Sequence, residues 1–195
     1  VGISYGTRVA LEYLRRHPAR VRSLVLDGVV PPELALGSEH ARNLEVSLDA
    51  QFERCAADAV CARRFGSPRA ALTTLLESLD QQPQSVRFRD PLTHEWQDGT
   101  LTRDVVAGVV RLFAYVPQLS AMLPQTLAEA AAGRPDVLMA QGRMIESLVG
   151  EQINQGLQLS VSCSEDADRL RVEPADSGTL MGTAFVATLL AQCEA

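Results

Sequence analysis

The sequence has no lysine; all 18 of its basic residues are arginine. Aromatic residues are scarce, at 5%, and no basic stripe interleaves with them. Nucleic acid is therefore not expected as a partner. No apolar run approaches the roughly 20 residues of a membrane-spanning helix, so no span is expected in this segment. No Cys-x-x-Cys and no close pair of histidines is present, so no metal site is expected. No cofactor is expected either. The chain has no initiator methionine and no signal peptide, and its first turn leaves no room for the strand that should lead into it. It is expected to be a piece of a longer polypeptide, about whose targeting these residues are silent.

What is present fits a globular protein. The 195 residues are 46% apolar and 22% charged, with a net charge of −6 and a pI near 5.1. That length accommodates one or two domains. The acidic balance serves solubility, and it also favours cationic substrates. Four cysteines, Cys55, Cys61, Cys163 and Cys193, permit two disulfides in three pairings. Cys55 and Cys61 flank a helix that breaks into a loop, so Cys55–Cys61 with Cys163–Cys193 is the first choice. Four buried thiols are the alternative. Disulfides imply an oxidising location: secreted, periplasmic or cell-envelope.

The strongest signal is at the start. Gly2-Ile3-Ser4-Tyr5-Gly6 has the form Gly-x-Ser-x-Gly, and a helical pattern follows at once. A strand, a sharp turn carrying a serine and a helix make a nucleophile elbow. A side chain at Gly2 or Gly6 is expected to clash with the neighbouring strand or helix. The Ser4 hydroxyl and the Tyr5 backbone N–H then lie at a helix N-terminus, which favours negative charge. That arrangement suits attack on a carbonyl by Ser4, with Tyr5 N–H as an oxyanion donor. The competing reading is a glycine-rich turn with an N-cap serine.

Residues 4–16 read as a helix with Val9, Leu11, Tyr13 and Leu14 apolar, stopped by Pro18. Val21 to Leu26 reads as a buried strand parallel to the one entering Ser4. After Pro32 long helical patterns take over. Ser38 to Ala59 carries Leu44, Leu48 and Phe52. Ser67-Pro68 opens a helix that ends near Gln82. Ser85 to Arg89 and His94 to Thr100 read as a hairpin. Thr102 caps a helix from Arg103 to Ala114, Pro117 starts one to Ala132, and a third runs from Asp136 to Asn154. Leu157 to Ser162 reads as a strand, and Ser177 to Cys193 as the last helix.

Several stretches resemble the α/β-hydrolases of the proline iminopeptidase and tripeptidyl-aminopeptidase-like serine peptidase group. They are Gly2 to Ala10, His17-Pro18, Leu24-Val25-Leu26-Asp27-Gly28-Val29-Val30-Pro31, Cys55 to Cys61, and Leu159 to Asp166 with its Cys163-Ser164-Glu165-Asp166. The resemblance implies an α/β-hydrolase fragment which, as a separate chain, is mainly α with a few β-strands. Residues 1–32 would be the elbow, helix and following strand of the core, 33–156 a helical cap, and 157–195 the return towards the core. The catalytic Asp and His would come after residue 195, and the partners would include the missing core segments of the same polypeptide. The implied activity is release of N-terminal residues or short peptides through an acyl-enzyme on Ser4, with this chain alone inactive. An esterase or other small-molecule hydrolase is the alternative enzyme, and a non-catalytic helical binding module is the alternative of another class. Open strand edges predict self-association.

Within the chain, His17, His40 and His94 each read better as surface or helix-end residues than as a catalytic base. Asp27 reads as a turn residue more readily than as a triad acid. Glu165 and Asp166 are the candidates for substrate binding, since a carboxylate pairs with the α-ammonium an exopeptidase must recognise. Their competing role is to cap a short helix. Trp96, Phe113 and Tyr115 could line an apolar pocket, or belong to a core.

Overall fold

A computed structural model describes residues 1–152 and 154–194. The chain is mainly helical, at 63% of residues, and divides into two compact units. Among the described residues no helix is long and apolar enough to cross a membrane.

The first unit comprises residues 1–39, 156–174 and 183–195. Strand β1 (Gly2–Ile3) leads through Ser4 into helix α1 (Tyr5–Arg16). Pro18 then closes α1 by opening a 3-10 turn, Pro18–Arg20. Strand β2 (Leu26–Asp27) pairs in parallel with β1, Gly2 against Leu26 and Ile3 against Asp27. The expected buried strand from Val21 is thus a two-residue strand, and it is not buried: Val25 is 61% exposed. Among the described residues β2 pairs only with β1, and a neighbour in the sheet leaves the two faces of a strand open.

Helix α1 also turns an unexpected face inward. Thr7 and Arg8 are its buried residues, while Val9 and Tyr13 are exposed. Burying polar groups is costly unless they are hydrogen-bonded or paired; the Thr7 hydroxyl and both Arg8 Nη atoms have partners, while Arg8 Nε has none among the described residues.

The second unit comprises residues 40–155 and 175–182. Helices α2 (His40–Ala57), α3 (Ala59–Phe65) and α4 (Pro68–Gln81) are followed by strands β3 (Gln84–Arg89) and β4 (Trp96–Leu101). Helices α5 (Arg103–Ala114), α6 (Pro117–Ser120), α7 (Leu123–Ala131) and α8 (Asp136–Gln152) complete this part. The strands form an antiparallel hairpin with Gln84 opposite Leu101 and Arg89 opposite Trp96. Leu48, Leu72, Leu101, Val110, Phe113 and Leu127 lie at the centre of its core. Local capping fixes the helix starts: Asp58 accepts from Val60 N–H and Cys61 N–H, Ser67 from Ala70 N–H, and Thr102 from Val105 N–H. The helix expected from Pro117 to Ala132 is broken into α6 and α7. The expected end of α8 at Asn154 passes through residue 153, outside the described residues.

Two further differences lie near the end of the chain. Leu157 to Ser162, expected as a strand, belongs to helix α9 (Gln155–Glu165). The helix expected from Ser177 is a 3-10 turn, Pro174–Gly178, followed by helix α10 (Ala184–Glu194). The alternation of Leu157, Leu159 and Val161 suggested a strand, but Ser162 and Asp166 are what this stretch buries. The inward positions of α9 carry small or polar residues, so hydrophobicity alone hides the helical period. Both disulfides are formed, Cys55–Cys61 and Cys163–Cys193. The second staples α9 to α10 beside a small core of Ala35, Leu170, Val186 and Leu189.

Candidate active site

Ser4 stands at the corner between β1 and α1 with φ 54° and ψ −126°. A non-glycine residue held there costs about 1–3 kcal/mol, and surrounding bonds must enforce it. Gly2 N–H donates to the Val25 carbonyl at 2.9 Å, and Ser4 N–H to the Asp27 carbonyl at 2.9 Å. The Ser4 carbonyl accepts from Thr7 N–H at 2.9 Å and from the Thr7 hydroxyl at 2.7 Å. That hydroxyl in turn accepts from Val30 N–H at 2.8 Å. Thr7, fully buried, thus ties the corner to the loop after β2.

The corner has no space for a side chain at Gly2. A Cβ there would lie 2.5 Å from the Gly6 carbonyl oxygen and 2.9 Å from Thr7 Cα. The expectation for Gly6 is corrected: a Cβ on Gly6 would meet nothing within 4 Å. The crowding is one-sided, because it is the Gly6 backbone that presses on Gly2.

Ser4 is exposed. Tyr5 is the first residue of α1, and an N–H at that position has no acceptor within its own helix. The Tyr5 side chain reaches across to α9, where its hydroxyl donates to Glu165 Oε1 at 2.6 Å. That bond, and then burial, push the Tyr5 hydroxyl pKa up, so it remains a donor throughout the neutral range.

Glu165 and Asp166 both reach α1, but in different surroundings. Asp166 is fully buried: Arg8 Nη1 lies 3.0 Å from its Oδ1 and 3.1 Å from its Oδ2, and Arg169 Nη2 donates to Oδ1 at 2.7 Å. Glu165 accepts from Arg8 Nη1 through Oε2 at 3.2 Å and keeps 40% of its side chain exposed. Arg8 also donates to the Leu34 carbonyl. Arg169 donates to the carbonyls of Pro32, Glu33 and Glu165 at 3.0, 2.9 and 2.9 Å. Tyr5, Arg8, Pro32, Glu165 and Arg169 line an open cleft of about 430 Å³.

The other candidate residues are dispersed. His17 follows α1 with its ring 5.0 Å from that of Tyr13. His40 begins α2, where burial and then the Arg111 charge push its pKa down. His94 sits in the hairpin turn at φ 63°, its carbonyl accepting from Arg89 Nε at 3.0 Å. Among the described residues, no hydrogen bond joins the Ser4 hydroxyl to a histidine, and no cluster of three or more His, Cys, Asp or Glu could hold a metal. Asp27 contributes its carbonyl to Ser4 N–H. Phe113 belongs to the core of the second unit, whereas Trp96 is 63% exposed with the Arg87 guanidinium 5.5 Å from its ring, and Tyr115 is exposed.

Sequence reasoning missed Thr7, Arg8 and Arg169. Thr7 and Arg8 directly follow the Gly-x-Ser-x-Gly run, and their adjacency to that corner was the available signal.

Likeness to known proteins relates the chain to the serine proteases. It is 31% identical over 152 residues to serine protease Hip1 of Mycobacterium bovis and, equally, of Mycobacterium tuberculosis. The match covers 74% of this chain and 28% of those relatives, so the chain spans little more than a quarter of their length. No family model and no solved structure matches.

Proposed function

We propose that the chain is the nucleophile-elbow and cap portion of an α/β-hydrolase-type serine peptidase, with Ser4 as the nucleophile. The observation that carries this reading is the backbone of Ser4. A serine at positive φ, exposed between a strand and a helix N-terminus, would present its hydroxyl beside the Tyr5 N–H. That N–H and the positive end of α1 would stabilise the oxyanion formed when Ser4 attacks a carbonyl. The likeness to a protein named as a serine protease supports the same chemistry. Residues 1–32 would belong to the hydrolase core, 33–156 to the cap and 157–195 to the return. The remaining core segments, with the catalytic His and Asp, would be supplied by the rest of a longer polypeptide.

The substrate would be a peptide with a free N-terminus, shortened by one or a few residues through an acyl-enzyme. Glu165 supports this part of the reading: it is acidic, half-open to solvent and held next to the residue that follows the nucleophile. Asp166 would serve differently, as the buried counter-charge that fixes Arg8. The disulfides would place the protein in an oxidising compartment: secreted, periplasmic or cell-envelope.

The test is hydrolysis of peptide p-nitroanilides by the full-length polypeptide carrying this chain. Ser4→Ala lowers kcat by about 10⁴-fold or more if Ser4 is the nucleophile. Unchanged turnover in Ser4→Ala rejects the reading. A preference for simple esters over free-amine peptides would favour an esterase instead.

A further inference from the structure

Tyr5 has two separate polar ends, and they serve different parts of the site. Its backbone N–H is at the first position of α1, beside Ser4. Its hydroxyl, 2.6 Å from Glu165 Oε1, contacts a residue 160 positions further along the chain. We propose that the Tyr5 side chain is a specificity-determining positioning residue: it holds the Glu165 carboxylate at a fixed reach from the oxyanion-binding N–H, so that a substrate's α-ammonium and scissile carbonyl are read together. This rests on the function proposed above, and extends it from which residues act to what sets their spacing.

Three features of the structure carry the inference. The first is lone-pair accounting at Glu165. A carboxylate offers about four acceptor directions. Tyr5 takes one on Oε1 and Arg8 one on Oε2, and the side chain is still 40% exposed. Acceptor capacity therefore remains on a carboxylate that is already oriented.

The second is charge. Arg8 Nη1 is engaged at both oxygens of the buried Asp166, which Arg169 shares at 2.7 Å, so Glu165 is not its only counter-ion and Arg8 keeps a carboxylate partner when Glu165 also meets a cation. Glu165 can then receive a substrate cation without leaving Arg8 buried and unpaired.

The third is polarity. Tyr5 begins α1, whose N-terminus favours negative charge, and Glu165 is the last residue of α9, whose C-terminus favours positive charge. The Tyr5 side chain bridges these two helix ends. A ligand that is anionic at one end and cationic at the other complements them, and a free-amine peptide in its tetrahedral state is such a ligand. Tyr5 is a donor suited to the task, since a neutral hydroxyl orients Glu165 without cancelling its charge.

The experiment compares a peptide p-nitroanilide bearing a free N-terminus with its N-acetyl counterpart, in the full-length polypeptide. The readout is the ratio of the two kcat/KM values. Tyr5→Phe is expected to lower that ratio roughly ten- to hundred-fold, the worth of a hydrogen bond to a charged group, with the loss carried by KM for the free-amine substrate. Glu165→Asp keeps the charge but withdraws it by one methylene from the hydroxyl, and is expected to give a similar fall. This second variant decides the matter if Tyr5→Phe does not fold, as read by circular dichroism. A ratio unchanged in a folded Tyr5→Phe overturns the proposal. If Glu165→Gln collapses the ratio while Tyr5→Phe and Glu165→Asp do not, this inference alone fails. If Glu165→Gln leaves the ratio unchanged, amine recognition by Glu165 fails with it, and if Ser4→Ala remains active, the serine-peptidase reading itself fails.

Discussion

Arg8 Nη1 lies 3.0 and 3.1 Å from the two carboxylate oxygens of Asp166, across 158 residues of sequence, and neither side chain is more than 8% exposed. This pair ties the first helix of the chain to the end of α9. Arg169 Nη2 also donates to Asp166 Oδ1, at 2.7 Å.

A buried charge that loses its partner is strongly destabilising, more so than loss of the pair as a whole. Asp166→Ala is therefore expected to cost about 3–5 kcal/mol in urea denaturation. The double change Arg8→Met with Asp166→Leu is expected to recover much of that loss. A single Asp166→Ala that unfolds at the wild-type urea concentration would show that the pair does not hold α1 to α9.

The two glycines of the Gly-x-Ser-x-Gly run are expected to respond oppositely. Gly2→Ala puts a Cβ 2.5 Å from a backbone oxygen that cannot swing aside. Overpacking of this kind costs about 1–3 kcal/mol. Gly6→Ala meets open space on a helix, where alanine is favoured over glycine by up to about 1 kcal/mol. Thermal denaturation of the two variants checks the contrast, and equal destabilisation would contradict it.

The hairpin turn carries a pH dependence of known sign. Asp90 accepts from Leu92 N–H at 2.7 Å and Thr93 N–H at 3.1 Å, with Arg143 further off at 3.4 Å. These backbone bonds, then Arg143, hold its carboxyl below the usual carboxylate range. A lowered pKa contributes stability that is complete above the usual range and is lost as pH falls through the lowered value. Hydrogen exchange at Leu92 and Thr93 is expected to lose protection on acidification in the wild type. Asp90→Asn is expected to remove most of that pH dependence.

The parts of this structure that were legible in the sequence are those set by near neighbours. Asp58, Ser67 and Thr102 announce helix starts because each caps the N–H groups two or three residues ahead. The hairpin around Asp90-Pro91 was legible for the same reason. Helix α9 was not, because it turns Ser162 and Cys163 inward and is followed directly by the buried Asp166, and these places depend on a disulfide and on Arg8 and Arg169 elsewhere in the chain. Helix α1 showed its apolar residues, but its burial follows Thr7 and Arg8, which are held by Val30 N–H and Asp166. The Ser4 corner was legible in outline from its glycines. That only Gly2 is crowded depends on the path of the Gly6 carbonyl, which spacing does not encode. The Tyr5–Glu165 bond joins residues that the sequence picked out separately and gave no reason to connect.

As proposed above, Ser4 would be a nucleophile activated by a His and an Asp in the rest of a longer polypeptide. The most direct test is labelling with a fluorophosphonate probe, read by peptide mass, on the 195-residue chain and on the full-length polypeptide in parallel. Stoichiometric modification of Ser4 is expected in the full-length polypeptide, none in its Ser4→Ala variant, and little or none in the isolated chain. An unmodified Ser4 in an otherwise active full-length protein would contradict it.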